Sequence, residues 1–138
     1  MYFSIVIWYA ITSIMPDDLK PVNWIASSRK DLRSFPKVVQ IGVGFALYEA
    51  QRGKKHDSAK PLKGYKGAGV LEVVEDYDGN TYRAVYTVRF AEIIYVLHCF
   101  QKKSKSGVAT PKQDLDKVES RLKAAEKEYQ EWKNQQGK

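Results

Sequence analysis

The stretch VLEVVEDYDGNTYRAVYTVRFAEIIYVLHCF, residues 70–100, contains three strand signals in succession. Runs rich in β-branched and aromatic residues cover residues 70–75, 82–89 and 93–100. The dipeptide Asp78-Gly79 between the first two runs is a strong signal for a hairpin turn. Because the three runs follow one another so closely, a meander of antiparallel strands is the economical prediction.

Helical patterns precede this meander. Residues 23–35 predict a short helix, in which Ser27 and Ser28 are candidate caps and Ser28 and Asp31 have the spacing of a capping box. A second helix is expected to begin at Pro36, because proline is favoured in the first turn of a helix. The apolar stripe expected on this second helix consists of Val38, Ile41, Phe45 and Tyr48.

A longer helix is predicted after residue 112. Its apolar residues keep three- and four-residue spacing through Leu115, Val118, Leu122, Ala125, Tyr129 and Trp132. We expect this stripe to pack on the sheet of the same chain. The alternative is that its C-terminal half receives a partner protein, since helix-in-groove recognition uses the same spacing. The predicted fold class is α+β, with the element order α-α-β-β-β-α in a single domain.

Length and composition limit the class of protein. A chain of 138 residues can bury a core of its own but is too short for a second domain to be expected. A hydrophobic fraction of 43% describes a folded chain, so the net charge of +7 belongs to a surface that should attract polyanions. Cys99, His56 and His98 are the only residues of their types, too few for a four-ligand zinc site. We expect a cytoplasmic protein without a metal or other cofactor.

The first fifteen residues, MYFSIVIWYAITSIM, form an apolar segment. It lacks the positively charged start of a signal peptide, and it is shorter than the roughly 20 residues that span a bilayer, so no membrane association is predicted. A translational start assigned one methionine too early, with Met15 as the true start, would explain the segment. An extra N-terminal strand or an interaction segment is the other explanation. Residues 1–19 are therefore set apart from the predicted domain of residues 20–138.

Two lysine-rich loops flank the predicted sheet, at residues 51–69 and 101–112. Between them, Arg83 lies within the middle strand, where a charged residue is rarely buried without a partner. Two interpretations of Arg83 stay open. It forms a salt bridge with Glu72 on the adjacent strand, or its guanidinium binds a phosphate. We expect the two loops and Arg83 to converge at one edge of the sheet as a cationic pocket.

Such a pocket is suited to RNA chemistry. Unpaired bases could stack on nearby aromatic rings, for which the candidates are Tyr65, Tyr82, Tyr86 and Phe100. The candidate RNA-binding lysines are Lys60, Lys66 and Lys105. RNA supplies its own nucleophile, the 2′-OH, and crowded lysines lower one another's pKa, so that one of them can act as a general base. His98 is a candidate general acid or base, although a single histidine on a strand is more often structural.

Three segments resemble a known family. PLKG at residues 61–64, YRAVYTV at 82–88 and VLHCFQKKSK at 96–105 look like the RelE/ParE toxin superfamily, and specifically its HigB-like, phage-derived branch. The third segment is the most specific to the branch. The resemblance spans about residues 22–125 and implies a RelE-like fold.

The resemblance also implies a function. It indicates the toxin of a type II toxin–antitoxin system, a ribosome-dependent mRNA endonuclease neutralised by a cognate helix-turn-helix antitoxin. By position, Arg83 matches a strand arginine that contacts the scissile phosphate, and Lys63 matches a basic residue that binds the substrate or helps to activate it. Lys102 or Lys103 matches a basic residue on the leaving side. The alternatives are a ParE-like gyrase inhibitor and a non-catalytic nucleic-acid-binding protein, and the presence of these basic residues together favours the nuclease.

Overall fold

The computed structural model describes residues 19–65, 67–102 and 110–137 of the chain. The strands are β1 (Val22–Trp24), β2 (Ala59–Pro61), β3 (Val70–Tyr77), β4 (Asn80–Thr87) and β5 (Ile94–Lys102). The helices are α1 (Ser28–Arg33), α2 (Lys37–Gln51) and α3 (Lys112–Gln136). Two helices before an antiparallel meander and one helix after it confirm the predicted α+β architecture.

The five strands form one sheet in the order β1-β5-β4-β3-β2. Strands β2 to β5 pair as antiparallel neighbours, and a two-residue turn at Asp78-Gly79 joins β3 to β4. The φ angles of the turn residues are +51° and +78°. Positive φ at both positions is what a type I′ turn requires, and its twist matches that of the flanking strands. The predicted meander and its turn are confirmed.

The predicted helix of residues 23–35 is corrected by the structure. Val22–Trp24 forms β1 instead, parallel to β5, and the helix begins only at Ser28. Three residues are too few for alternation to signal a strand, so the free edge of β5 decides the conformation by supplying hydrogen-bond partners. Ser28 is not a cap, because its hydroxyl donates to the carbonyl of Val96 at 3.1 Å and ties α1 to β5.

The basic segment of residues 51–69 is also not a loop throughout. Ala59–Pro61 forms β2 at the edge of the sheet, and Lys60 lies opposite Glu72 on β3. Alanine, lysine and proline are all poor strand formers, so nothing in the local sequence indicated this strand. Proline is tolerated there because an edge strand has one side without ladder hydrogen bonds.

Helix α2 buries a different face from the predicted one. Its core residues are Val39, Val43, Ala46, Leu47 and Ala50. Val38 and Phe45 of the predicted stripe are instead 55% and 51% exposed. Because α2 is apolar on nearly all sides, helical periodicity does not select which face points inward. Packing on the sheet makes that selection.

The sheet separates two apolar cores. On one face of the sheet, α1 and α2 pack on Leu71, Val73, Tyr82, Ala84 and Tyr86. On the other face, α3 packs on Val70, Val85, Leu97 and Phe100. The helix contributes Val118, Leu122, Ala125 and Tyr129 to this core. The predicted stripe of α3 therefore packs on its own sheet, as expected. None of the helices in the described parts of the chain is long and apolar enough to cross a membrane.

Candidate functional site

A buried cluster of charged side chains lies on the α3 face of the sheet. Nη1 of Arg83 on β4 donates to Oε2 of Glu72 on β3 at 3.0 Å, and each residue is only 5% exposed. Lys102, the last residue of β5, is 6% exposed. Arg83 pairs with Phe100 and Glu72 pairs with Val85. Strand alternation therefore puts the side chains of Glu72, Arg83 and Lys102 on one face.

The ion pair confirms the salt bridge between Arg83 and Glu72, which was one of the two interpretations of Arg83. Its Nη1 atom also lies 3.5 Å from the hydroxyl of Thr110, just before α3 begins. Taking two charges out of water costs several kcal/mol for each ion, and well-packed apolar residues often stabilise a protein equally well. A buried pair of this kind is therefore weak as a stabilising device, which favours a functional reason for its charges.

Lys102 gives the cluster a surplus of positive charge. Its amine is buried and has no hydrogen-bond acceptor among the described residues. Burial lowers the pKa of Lys102, the neighbouring Arg83 lowers it further, and Glu72 opposes both effects. One carboxylate thus lies near two cationic side chains and is hydrogen-bonded to Arg83, while Lys102 feels only its charge. This arrangement suits an anionic group that would satisfy both cations.

Lys60 forms the exposed rim of the cluster. It stands opposite Glu72 in the β2–β3 ladder, and residues paired across a ladder point to the same face of a sheet. Lys60 was predicted as an RNA-binding residue from the charge of its segment, but its position beside the cluster follows only from β2. The cluster therefore draws one charged residue from each of four neighbouring strands, Lys60, Glu72, Arg83 and Lys102.

A family model described as "Phage derived protein Gp49-like (DUF891)" matches residues 30–123, which include the whole cluster. The chain belongs to the Gp49-like family. This family is of the RelE/HigB toxin type, so the predicted relationship to the phage-derived branch is confirmed, and the protein is a RelE-like toxin of a toxin–antitoxin system.

Other comparisons add little to the Gp49-like assignment. No curated protein matches the sequence. Among solved structures, a chain of the toxin–antitoxin complex RelBE2 from Mycobacterium tuberculosis is 20% identical with a TM-score of 0.43. The alignment covers 61% of this chain and 99% of that chain.

Lys63 of the Gp49-like protein is not brought to the cluster. It follows β2 and precedes β3, at the end of β4 that holds Thr87, whereas Lys102 pairs with Thr81 at the other end. The two threonines are six positions apart along the strand, which is roughly 20 Å. The predicted convergence of both basic loops at one edge therefore does not include Lys63. Lys66, Lys103 and Lys105 lie outside the described residues.

His98 belongs to a polar network beside the cluster. It is 3% exposed, its Nε2 lies 2.7 Å from Oδ1 of Asp114, and its Nδ1 lies 3.0 Å from Nη1 of Arg121. Because a guanidinium can only donate, Nδ1 must accept, and a neutral ring then donates from Nε2 to Asp114. Arg121 also donates to the Leu97 carbonyl and to the Ser27 hydroxyl. The network joins α3 to β5 and to the residue before α1, so both ring nitrogens of His98 have structural partners. A role of His98 as a general acid or base stays a prediction.

We expect this network to make the stability of the Gp49-like protein depend on pH. Burial lowers the pKa of His98, the hydrogen bond with Asp114 opposes this, and Arg121 reinforces it. An unfolded histidine has a pKa of about 6.5. Below that pH the unfolded chain binds a proton that the folded chain excludes, so the free energy of unfolding falls as the pH is lowered. Urea unfolding at about pH 7.5 and about pH 5.5 measures this fall. His98→Gln cannot titrate and should show a smaller difference; an equal difference in both proteins would contradict the lowered pKa.

Most aromatic rings predicted to stack on bases are inaccessible in the Gp49-like protein. Tyr86 is fully buried on the opposite face of the sheet, against the N-terminal helices, and Tyr82 is buried on that face too. Phe100 is buried, and its ring stacks on His98 with centroids 4.7 Å apart. The stacking roles predicted for these three residues are wrong, because strand alternation and α3 enclose them. Tyr65 is only partly buried, and its hydroxyl donates to Glu119 of α3.

Proposed function

We propose that this Gp49-like toxin is an endoribonuclease that cuts mRNA on the ribosome and is neutralised by a helix-turn-helix antitoxin. The observation that supports the nuclease is the buried cluster of Glu72, Arg83 and Lys102, which combines a carboxylate with surplus positive charge on one face. The net charge of +7 supports attraction to a polyanion over longer distances. Lys60 on the exposed rim would contact a neighbouring phosphate.

The cluster contains the groups that cleavage by the RNA's own 2′-OH requires. In this reaction the 2′ oxygen forms a bond to the adjacent phosphorus while the bond from phosphorus to the 5′ oxygen breaks. The products are a 2′,3′-cyclic phosphate and a 5′-hydroxyl. The planar fork of Arg83 would neutralise charge on the phosphate. Glu72 would accept the proton of the 2′-OH, and the Lys102 ammonium would donate a proton to the leaving 5′ oxygen.

Substrate binding would free Glu72 for this role. In the protein without RNA, the carboxylate is occupied by Arg83 at 3.0 Å. A phosphate bound by the guanidinium would replace that partner, because bidentate contact with phosphate suits the arginine fork. The released carboxylate would then be close to the attacking hydroxyl. Lys63 would contact a more distant part of the RNA or the ribosome, because the sheet places it away from the cluster.

We expect protein-free RNA to be cut poorly. The cluster is buried, and within the described residues it has no histidine free to exchange protons, so orientation of the RNA must contribute much of the rate. Positioning of this kind can supply several orders of magnitude. Cleavage of mRNA on programmed ribosomes should be roughly 1000-fold faster or more than cleavage of the same RNA alone. Primer extension after reaction with the purified protein measures both rates. Comparable rates would contradict the dependence on the ribosome.

A further inference from the structure

Helix α2 carries an apolar stripe on the side directed away from the core. Val38 and Phe45 are more than half exposed, and Ile41 and Tyr48 lie on the same side and are partly exposed. Across the described parts of the chain, the exposed large apolar side chains are Val38, Phe45 and Tyr77, so two of the three belong to this stripe. A helix that is apolar on opposite sides is normally covered on both. The stripe is therefore a candidate surface for binding another apolar segment.

The described chain begins at Leu19, beside one end of the stripe, and the segment before it is attached there. The backbone N–H of Lys20 donates to the carbonyl of Gln51 at 3.1 Å, and the side-chain amide of Gln51 donates to the carbonyl of Lys20 at 2.8 Å. Gln51 is the last residue of α2 and follows Tyr48 by three positions. These two hydrogen bonds hold the start of the described chain about one helical turn from the stripe.

The tethered segment has the composition that an apolar stripe would accept. Residues 1–16 contain no Asp, Glu, Lys or Arg. Val38 and Tyr48, the ends of the stripe, are ten positions apart on the helix, which is about 15 Å. A few residues of linker and the fifteen residues of the apolar segment are ample to reach along that distance. The length, the composition and the point of attachment of this segment are thus all compatible with binding to the stripe.

We propose that the apolar segment of residues 1–15 docks on the α2 stripe of the same chain. Burial of apolar surface from both partners would drive the contact. The tether raises the local concentration of the segment, which favours it over a second copy or another protein of equal affinity. The helix that carries the stripe packs on one face of the sheet, and the Glu72–Arg83–Lys102 cluster lies on the opposite face. The docked segment would therefore leave the candidate site open, and this proposal does not depend on the proposed nuclease.

Thiol labelling of introduced cysteines tests the docking. Cys99 is the only natural cysteine and is 1% exposed, and burial raises the pKa of its thiol, so it stays unreactive in the folded chain. Phe45→Cys is placed in the full chain and in a chain that begins at Met15. We expect labelling to be about tenfold faster, or more, in the shorter chain. Ala124→Cys, at an exposed position on α3, is the matched control and should be labelled equally in both.

Equal labelling of Phe45→Cys in the two chains would overturn the proposal. Protection that persists in the shorter chain and is lost on dilution would also overturn it, because a second copy would then be the occupant. Labelling of Cys99 would reveal a shorter chain that fails to fold. Ile7→Asp with Ile11→Asp in the full chain then decides the question. The added charges should speed labelling of Phe45→Cys about tenfold while Cys99 stays unreactive, and an unchanged rate rejects the docking.

Discussion

Cells that express the double variant Glu72→Gln, Arg83→Gln are expected to grow normally and to keep their mRNA intact. The variant removes the guanidinium that is proposed to neutralise the phosphate, and loss of one such electrostatic contact lowers a rate on the order of 100- to 1000-fold. It also removes the proposed proton acceptor, which costs a further factor on the order of 100 or more. The fold should persist, because two neutral amides replace the buried ion pair, and the buried amine of Lys102, which then has no neighbouring carboxylate, can lose its proton.

The single variant Arg83→Gln is the matched control for this experiment. It removes the same phosphate contact but leaves the Glu72 carboxylate buried without the arginine, which we expect to lower the free energy of unfolding by about 3–5 kcal/mol. Both variants should be inactive, and only the single variant should be markedly less stable. Growth curves, primer extension on cellular mRNA and urea unfolding measure these effects. A stable double variant that still arrests growth and cuts mRNA would show that the cluster is not the site.

Lys102→Met is expected to raise the melting temperature and, at the same time, to lower cleavage on the ribosome about 100-fold or more. Methionine has a similar length and no charge, so it removes the desolvation cost of an amine that has no acceptor among the described residues. Cleavage falls because the proposed proton donor is lost. Opposite changes in stability and activity are typical of a residue kept for function.

Lys112→Met is the matched control for Lys102→Met. Lys112 begins α3 near the same cluster, but its side chain is 87% exposed and pairs with Asp116 at 3.1 Å. An exposed pair of this kind contributes less than about 1 kcal/mol, so the control should change neither stability nor cleavage appreciably. Thermal unfolding and cleavage of ribosome-bound mRNA are measured for both variants. Full cleavage by Lys102→Met would remove Lys102 from the mechanism, and a lower melting temperature would show that the amine supports the fold.

The ion pair at the centre of the site could be predicted because it depends on local rules. The Asp78-Gly79 turn sets the register of the hairpin, which pairs Glu72 with Val85 and leaves Arg83 as a diagonal neighbour on the same face. Alternation along β4 likewise separates Tyr82 and Tyr86 from Arg83. The alternation in the sequence alone therefore excludes those two rings from the face that carries Arg83.

Other features of the site could not be predicted from local patterns. The position of Lys60 depends on β2, whose three residues form a strand only because the edge of β3 is available to them. The structural role of His98 depends on Asp114 and Arg121, which are 16 and 23 residues away in the chain. A hydrogen-bond partner at that separation has no signature in the sequence around the histidine.

The sequence by itself determined the meander, its turn, the long C-terminal helix and the family, because each depends on a regular pattern or on a motif of neighbouring residues. Tertiary structure decided the two edge strands, the buried face of α2, the distance of Lys63 from Lys102 and the partners of His98. The physical reason is that these features are set by which surfaces and hydrogen-bonding groups remain available once the sheet has formed. An apolar helix such as α2 can bury either side, and only the sheet beneath it makes the choice.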